Sequence, residues 1–373
     1  MARGAPPPGA TSATYGVSRR ASRRRRWPKR LVVSLCVLVV LALVGAGGAY
    51  AYLMYRVGQI PRVAVPALAR STGGPFNVLL VGSDHLNGGR RADTMVVARV
   101  DPSTQRVALL DIPYDYFATV VGMGGPNKIS DALGGGPQAM VATVEHDLGI
   151  PINHYVQVGF SGVVNVVNAL GGVQLDFPVP AYDKMSGLSV PTAGCQTLDG
   201  TQALALVRSR FYTYDENGSW QQTPTGDFGR IKRQDAFLRA VLQRVKASIL
   251  GDPLRLNSFV SAVVHDLTVD KGLGTSTLLQ MAEAFRSLGG SSLTTFTLPT
   301  QIVNTYGVYG DVLMPVPSLD RATIASWEAA VGAPPPAGAP GPPPSASAAS
   351  APPAGGGSIV TNRTTPPFDP RPC

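Results

Sequence analysis

Two aspartates stand at the ends of predicted strands, where their carboxylates could share a metal ion. Asp84 closely follows the apolar run 77–81, and Asp93 immediately precedes the run 94–100. If these strands pair, both carboxylates reach one rim of the sheet, and oxygen ligands of this kind suit a hard divalent cation such as Mg²⁺. Each aspartate alone is also a common turn or capping residue, and that alternative stays open.

A pair of arginines, Arg208 and Arg210, could bind phosphate. Their spacing places both side chains on the same side of an extended backbone. Each planar guanidinium group can bond two oxygens at once, so such a pair suits a diphosphate better than two lysines would. Two solvated surface arginines would give the same pattern.

The segment 227–234 adds polar groups to a predicted helix. Arg230 and Gln234 continue the apolar stripe of that helix, so both side chains should point inward. A buried arginine needs an anionic partner, which could be an internal aspartate or a bound phosphate. The N-terminus of the helix also favours an anion. Lys128, which follows a glycine-rich loop, is a further candidate cation, or simply a solvated lysine.

The elements that position these groups are a mixture of strands and helices. Short apolar runs bounded by turn residues predict strands, and apolar residues at helical spacing predict helices. The predicted strands are 77–81, 94–100, 106–112 and 173–177, and the predicted helices are 137–148, 160–170 and 231–250. The turn at 101–104 should join its flanking strands in a hairpin. This mixture predicts an α/β or α+β domain of about 250 residues.

The distribution of charge separates the N-terminus from the rest of the chain. Nine of the 32 basic residues and none of the 23 acidic residues lie in 1–30, so the remainder carries no basic excess for nucleic acid. Residues 31–54 have no charged side chain and as a helix would span roughly 36 Å, enough to cross a bilayer. The more basic flank precedes this span, which predicts a cytoplasmic N-terminus. A cleaved signal peptide is the alternative, although its apolar core is usually shorter.

These patterns divide the chain into five predicted parts. They are a disordered basic cytoplasmic tail (1–30), a transmembrane helix (31–54), a linker (55–75), an extracytoplasmic domain (76–330) and a disordered Pro/Ala-rich tail (331–373). Outside the span, Cys195 and Cys373 could pair in an oxidising exterior or remain two free thiols. The sequence has no Cys/His cluster with zinc spacing.

Nine short motifs follow one another in the predicted domain. They are NVLLVGSD (77–84), RADTM (91–95), IPYD (112–115), KI (128–129), GIPINHY (149–155), LGGV (170–173), LDGTQAL (198–204), VRSR (207–210) and DFGRIKRQ (227–234). Taken together, these motifs resemble the LytR-CpsA-Psr family over about residues 76–250. The resemblance implies an α/β fold with a central mixed sheet flanked by helices. It also implies an apolar pocket for the lipid tail of a polyprenyl-pyrophosphate carrier, and an enzyme that transfers a glycopolymer from that carrier onto peptidoglycan during cell-wall assembly, with Mg²⁺ at the pyrophosphate.

The same resemblance implies roles for individual residues. Asp84 and Asp93 would bind Mg²⁺. The catalytic set would be Asp115, Arg208 and Arg210, with Asp115 positioning the acceptor or acting as general base. The substrate-binding set would be Arg91, Lys128, Arg230, Arg233 and Gln234. The implied chemistry is attack by a peptidoglycan sugar hydroxyl on the sugar carbon that bears the pyrophosphate, with cations stabilising the leaving group.

The sequence departs from the family pattern at two positions. Tyr114 stands where the family usually has arginine in an Ile-Pro-Arg-Asp motif, and Leu86 stands where a Ser-Asp-x-Arg motif has its arginine. Each lost arginine removes charged hydrogen bonds worth about 1.5 to 3 kcal/mol. Two alternatives to a transferase therefore stay open: a lipid-pyrophosphate phosphatase, and a non-catalytic regulatory paralogue that binds lipid or wall.

Overall fold

The fold was derived from a computed structural model of the chain. The structure describes residues 51–52, 54–70, 74–84, 91–223, 226–248, 264–274, 293–331, 359–360 and 366–373, with isolated positions between 259 and 284. Two compact units divide the chain, 1–52 and 53–373, and every element with described bounds lies in the second. The predicted span 31–54 falls almost wholly outside the described residues, as does Leu86. Within the described segments, no helix is both long and apolar enough to cross a bilayer.

Nineteen strands and five α-helices have described bounds in this unit. The strands are β1 (Arg62–Val63), β2 (Phe76–Ser83), β3 (Thr94–Asp101), β4 (Arg106–Ile112), β5 (Phe117–Val120), β6 (Gly125–Lys128), β7 (His154–Gly159), β8 (Val173–Phe177), β9 (Ala181–Asp183), β10 (Leu188–Val190), β11 (Gly194–Leu198), β12 (Thr213–Glu216), β13 (Ser219–Gln222), β14 (Leu267–Asp270), β15 (Leu293–Thr297), β16 (Thr300–Val303), β17 (Val312–Pro315), β18 (Ile359–Val360) and β19 (Arg371–Pro372). The helices are α1 (Gly136–Leu148), α2 (Phe160–Ala169), α3 (Gly200–Arg208), α4 (Gly226–Ser248) and α5 (Pro317–Ala330).

The central sheet has seven strands in the order β1-β14-β7-β2-β3-β4-β15. It is mixed, because β2 pairs parallel with β7 and antiparallel with β3. Its central strands are rich in Val and Leu and are buried on both faces, which explains their nearly continuous apolar runs. The predicted hairpin is confirmed, with Val97 of β3 opposite Leu110 of β4.

Helices cover both faces of this sheet. On one face, Met140 and Val144 of α1 and Trp327 of α5 join the core cluster of the sheet. The indole of Trp327 is completely buried and donates from Nε1 to the backbone oxygen of Ala108 at 3.1 Å. On the other face, Leu238 and Leu242 of α4 pack with a second cluster. The mixed α/β class predicted from the sequence is thereby confirmed.

A smaller lobe beside the sheet is built from short strands. Its two sheets have the orders β10-β9-β12-β13 and β11-β8-β19, and their core side chains meet α3 and one side of α4. Part of this region, 178–226, is a long polar stretch in the sequence. Strands of three to five residues with alternating burial lack the long apolar run that would have revealed them.

The end of the chain belongs to this lobe, although the sequence predicted an extended tail from residue 331. Strand β19 pairs antiparallel with β8, and Phe368 stacks on Tyr214 with ring centroids 3.9 Å apart. Cys195 and Cys373 form a disulfide, which resolves the alternative that the sequence left open. The bond joins residues 178 positions apart, so loop closure alone should stabilise the fold by about 5 kcal/mol.

The extended conformation predicted around Arg208 and Arg210 is wrong, because Arg208 ends helix α3. The Asp199 side chain accepts a hydrogen bond from the Gln202 backbone and caps the helix, which then runs through Arg208. Ser209 leaves the helix with extended backbone angles. Arg208 and Arg210 therefore approach their surroundings from a helix end and the loop after it, rather than from one strand face.

Candidate active site

The carboxylates of Asp84 and Asp93 lie at the rim where β2 ends and β3 begins. The Asp93 backbone N–H donates to the Gly82 carbonyl at 2.8 Å, which holds the two chain segments together. Burial raises the pKa of Asp93, and the negative charge of Asp84 raises it further, while Arg230 is the strongest opposing influence. The structure therefore places both predicted metal ligands in one electrostatic neighbourhood.

These two carboxylates are suited to Mg²⁺. Across the described ranges, no group of three or more His, Cys, Asp or Glu side chains could form a protein-only metal site. Mg²⁺ does not require one, because it usually keeps several waters and takes one or two carboxylates together with substrate phosphates. Asp93 is half-buried and is influenced by the negative charge of Asp84, a situation that a bound cation relieves.

Beside this rim lies a pocket of about 250 Å³ with a charged side and an apolar side. Its charged side chains are Asp93, Arg208, Arg210 and Arg230. Its other lining residues are Gly82, Thr94, Tyr114, Val158, Phe160, Val163, Leu204 and Val207. The apolar wall comes from β7, α2 and α3, and the arginines from α3, the loop that follows it, and α4.

Aromatic rings orient the arginines of the pocket. The guanidinium carbon of Arg208 lies 4.7 Å from the ring centroid of Phe160. That of Arg210 lies 4.3 Å from the Tyr114 ring, and that of Arg230 lies 5.4 Å from the same ring. Such contacts attract a cation to the ring face without neutralising it, so the guanidinium groups keep their charge for an anion.

Asp227 is the anionic partner that a buried Arg230 requires. Its carboxylate pairs with Arg230 and lies 3.8 Å from Arg210, and it accepts the Tyr114 backbone N–H at 3.1 Å. Burial lowers the pKa of Arg230, and Asp227 acts against that shift. Asp227 forms two ion pairs, and the one with Arg210 is longer and more exposed than the one with Arg230. Arg210 is therefore the arginine more readily available to a ligand.

Gln234 also points inward, as the helical spacing predicted. Its amide nitrogen donates at 2.9 Å to Thr94 Oγ1 and at 2.9 Å to the Val207 carbonyl. The first bond connects α4 to the start of β3, directly after Asp93, and the second connects it to the end of α3. Gln234 thus holds together three segments that line the pocket.

Three further predicted residues lie near the edge of the site in ion pairs. Lys128 Nζ lies 2.8 Å from Asp115, and Arg91 Nε lies 2.6 Å from Asp131. Asp131, followed by Tyr114, raises the pKa of Arg91, so Arg91 belongs to the same electrostatic neighbourhood as the pocket. Asp115 acts electrostatically on Arg230.

Arg233 lies away from the pocket, although the sequence grouped it with the substrate-binding residues. Its side chain is completely buried and pairs with Asp369 at 2.8 Å. It also donates to the Ser209 carbonyl at 3.0 Å and lies over the Tyr212 ring. Because both terminal nitrogens of its guanidinium group are bonded inside the smaller lobe, Arg233 is not part of the proposed ligand set.

Two residues of the site were not singled out from the sequence as contributors: Asp227 and Phe160. The pairing of Asp227 with Arg230 could have been predicted, because Asp227 lies three residues before Arg230 in one helix and such pairs face each other. The contact of Phe160 with Arg208 could not have been predicted from local spacing, since the two positions are distant in the chain. The assembled site offers three guanidinium groups and two carboxylates next to an apolar wall, which suits a diphosphate joined to an apolar chain.

Comparisons with known proteins agree with this description. The model of the LytR_cpsA_psr family matches residues 58–318. The probable cell wall biosynthesis protein LcpB of Corynebacterium glutamicum is 33% identical over 66% of this chain, which spans 59% of that protein. The polyisoprenyl-teichoic acid–peptidoglycan teichoic acid transferase TagU of Enterococcus faecalis is 30% identical over 70% of this chain and 84% of its own length. A solved LytR-Csp2A-Psr enzyme from Actinomyces oris aligns with a TM-score of 0.60 at 26% identity, over 72% of this chain and 95% of that structure.

Proposed function

The chain belongs to the LytR-CpsA-Psr family, and from that premise we propose that it transfers a glycopolymer from a polyprenyl-pyrophosphate carrier onto peptidoglycan. The observation that carries this proposal is the two-sided pocket, in which Arg208, Arg210 and Arg230 border an apolar wall. A lipid-linked diphosphate has the same two halves. The relative TagU, named as a transferase of polyisoprenyl-linked teichoic acid to peptidoglycan, supports the same reaction class.

The size of the pocket limits what it holds. Its volume of about 250 Å³ lies below the roughly 300 to 1,000 Å³ of pockets for drug-sized ligands. It therefore fits the diphosphate and the first part of an isoprenoid chain. To admit the remaining chain, α2 and α3, which supply Phe160 and Leu204, would have to move apart.

The charges at the site favour attack at phosphorus over attack at the sugar carbon that the family resemblance suggested. Displacement at a sugar carbon passes through an oxocarbenium-like, positively charged state. Phosphoryl transfer instead spreads negative charge over the oxygens of the transferred group. Three guanidinium groups stabilise the oxygens of the transferred phosphoryl group directly, whereas in attack at the sugar carbon they would stabilise only the leaving diphosphate and would act against the positive charge on the sugar. The acceptor hydroxyl then forms a P–O bond to the sugar-bearing phosphorus, and the bridging P–O bond breaks to release polyprenyl monophosphate.

Each charged residue has a distinct part in this proposal. Arg208 and Arg210 bind the phosphoryl oxygens, and Arg230 supplies a fixed positive charge behind them, anchored by Asp227. Asp115, held by Lys128, accepts the proton of the acceptor hydroxyl. Asp84 and Asp93 would hold Mg²⁺, which would neutralise charge on the diphosphate.

We also propose the topology that the sequence predicted. Residues 31–54 anchor the chain as a single span, with residues 1–30 in the cytoplasm and the domain outside the membrane. This location gives the domain both its lipid carrier and its peptidoglycan acceptor. The disulfide between Cys195 and Cys373 supports an oxidising exterior.

The test uses the full chain in detergent with a labelled lipid-pyrophosphate-linked glycopolymer, purified peptidoglycan and Mg²⁺. The wild type should label the peptidoglycan and release polyprenyl monophosphate in equal amounts. Arg210→Ala should lower turnover at least 100-fold, because a transition-state contact of this kind is worth about 3 kcal/mol. Arg321→Ala, an exposed arginine on α5, is the control and should leave turnover unchanged.

Other outcomes identify the alternatives. Equal release of lipid product with and without peptidoglycan would identify a phosphatase, in which water is the acceptor. Tight binding of the lipid without any turnover would identify a non-catalytic paralogue. Release of polyprenyl pyrophosphate, in place of monophosphate, would show attack at the sugar carbon. A chelator that leaves the rate unchanged would remove Mg²⁺ from the proposal.

A further inference from the structure

An exposed face of the smaller lobe carries aromatic rings that the proposed reaction does not use. Trp220 of β13 is 49% exposed. Trp220 contacts Tyr182 of β9 edge to face, with ring centroids 4.9 Å apart. We propose that this face binds the glycan strand of the peptidoglycan acceptor. The inference rests on the proposed function for the identity of that strand.

The sheet register places polar groups between these rings. In the order β10-β9-β12-β13, Thr213 is opposite both Tyr182 and Gln222, and Asp215 is opposite Trp220. Directly opposed residues share a face, and residues two apart in a strand do so too, so all five belong to one face. Thr213 is buried and its hydroxyl donates to the Phe211 carbonyl, so the polar groups open to a ligand are Gln222 and Asp215. The other face is the one that Tyr214 and Ala181 bury in the core of the lobe.

This alternation of rings and polar groups fits a polysaccharide better than a protein partner. A pyranose ring presents C–H groups on one face, which pack on an aromatic ring, and hydroxyls around its edge, which need donors and acceptors. Gln222 and Asp215 offer both kinds of group beside Trp220. A protein interface would need a more contiguous apolar centre than separate rings provide.

The position of this face relative to the pocket suits an acceptor. Two residues lie between Arg210 and the start of β12 at Thr213, so three residue steps separate them, a path of at most about 10 Å. The Thr223 backbone N–H donates to the Tyr212 carbonyl at 2.9 Å, which ties the end of the β12–β13 hairpin to the segment after Arg210. A glycan held on this face is therefore close to the phosphoryl site, and positioning it there raises its effective concentration.

The test measures glycan binding without any lipid donor. Full chain in detergent is titrated with soluble glycan strands prepared from peptidoglycan by removal of the stem peptides. Trp220→Ala should weaken binding about tenfold, and Trp220→Phe, which keeps a ring, should stay within about threefold of the wild type. Val308→Ala, which removes an apolar side chain that is 93% exposed elsewhere on the domain, should change nothing. In the transfer reaction, Trp220→Ala should raise KM for peptidoglycan and leave donor binding unchanged.

Three results would overturn the inference. The first is a Trp220→Ala variant that binds glycan with wild-type affinity, and the second is an equal loss of glycan affinity in Val308→Ala. The third is a loss of glycan affinity that coincides with dissociation of an oligomer, because this face would then be a contact between copies of the chain. The transferase proposal fails separately. A wild type that binds glycan through Trp220 but never consumes the lipid donor would remove the reaction and leave this binding face intact.

Discussion

The guanidinium group of Arg210 lies over the ring of Tyr114, with its carbon 4.3 Å from the ring centroid. Tyr114 replaces an arginine that the family resemblance led us to expect at this position. Its ring also faces Arg230 at 5.4 Å, so a single aromatic side chain contacts both cations. A third guanidinium group there would repel the other two unless an anion were bound. The aromatic side chain therefore helps to hold the arginine pair in place before the ligand arrives.

Removing the Tyr114 ring should weaken donor binding. A cation–π contact is worth about 0.5 to 2 kcal/mol, so Tyr114→Ala should raise the Kd for the lipid donor about two- to thirtyfold. Tyr114→Phe keeps the ring and should bind the donor with the wild-type Kd. Titration of both variants with the donor checks this expectation. Equal affinities for Tyr114→Ala and the wild type would show that the ring does not position Arg210.

Restoring the family arginine should make stability depend more strongly on an anion. In Tyr114→Arg, the new guanidinium group replaces the ring beside Arg210 and Arg230 and repels both, so the Tm of the variant without ligand should be lower than that of the wild type. Inorganic pyrophosphate should then raise its Tm by more than it raises the wild-type Tm, because the anion also removes that repulsion. Thermal melts with and without pyrophosphate measure the difference. Identical increments in the two proteins would contradict this reading of the site.

Asp227 should contribute strongly to stability, because it pairs with a buried arginine. The side chains of Arg230 and Asp227 are 5% and 9% exposed, and breaking a buried pair costs about 3 to 5 kcal/mol. Asp227→Asn should therefore lower the free energy of unfolding by about that amount in denaturant titrations. The matched control is Asp131→Asn, whose partner Arg91 is 61% exposed, and it should cost no more than about 1 kcal/mol. Equal losses in the two variants would contradict the assignment.

Local sequence patterns predicted three strands of the central sheet and the positions of four residues of the site. The apolar runs that became β2, β3 and β4 placed Asp84 and Asp93 at one rim, and helical spacing turned Arg230 and Gln234 inward. Each inference needed only a periodicity and a pairing rule. Helix α3 was not predicted, although the sequence contains a pattern that indicates it. An Asp at the cap followed by Gln three residues later is typical of a helix start.

Other features depended on contacts between distant parts of the chain. Arg233 belongs to the same motif as Arg230, and its spacing gives no reason to separate them. Its partner Asp369 lies 136 residues away, beyond a Pro-rich stretch that predicted no structure. The strand pairing and disulfide that bring Asp369 to Arg233 could not be read from local composition. In the smaller lobe, the predicted strand 173–177 is confirmed as β8. The other strands of the lobe were missed for the related reason that they are short and mostly polar.

Arg233 and Asp369 should be exchangeable for apolar residues without loss of donor binding. Asp369→Asn alone leaves a fully buried guanidinium group without its anion and should cost about 3 to 5 kcal/mol. The double variant Arg233→Met/Asp369→Leu removes both charges and should recover most of that stability. Its Kd for the lipid donor should stay within about twofold of the wild type. A large loss of donor binding in a stable double variant would return Arg233 to the substrate-binding set.

Asp320 should make the stability of the domain depend on pH. Burial raises the pKa of Asp320 from 3.8 to about 6, and the Tyr116 hydroxyl donates to it at 3.2 Å. Between these two pKa values the folded protein binds more protons than the unfolded chain, so this contribution to stability is complete below pH 3.8 and is lost as the pH rises through about 6. Asp320→Asn cannot ionise, and its side-chain oxygen still accepts from Tyr116. The Tm of Asp320→Asn relative to the wild type should therefore increase between pH 5 and pH 7.5, with most of the change below and around the pKa of about 6. Parallel Tm curves for the two proteins would show that Asp320 is ionised in the folded protein throughout this range.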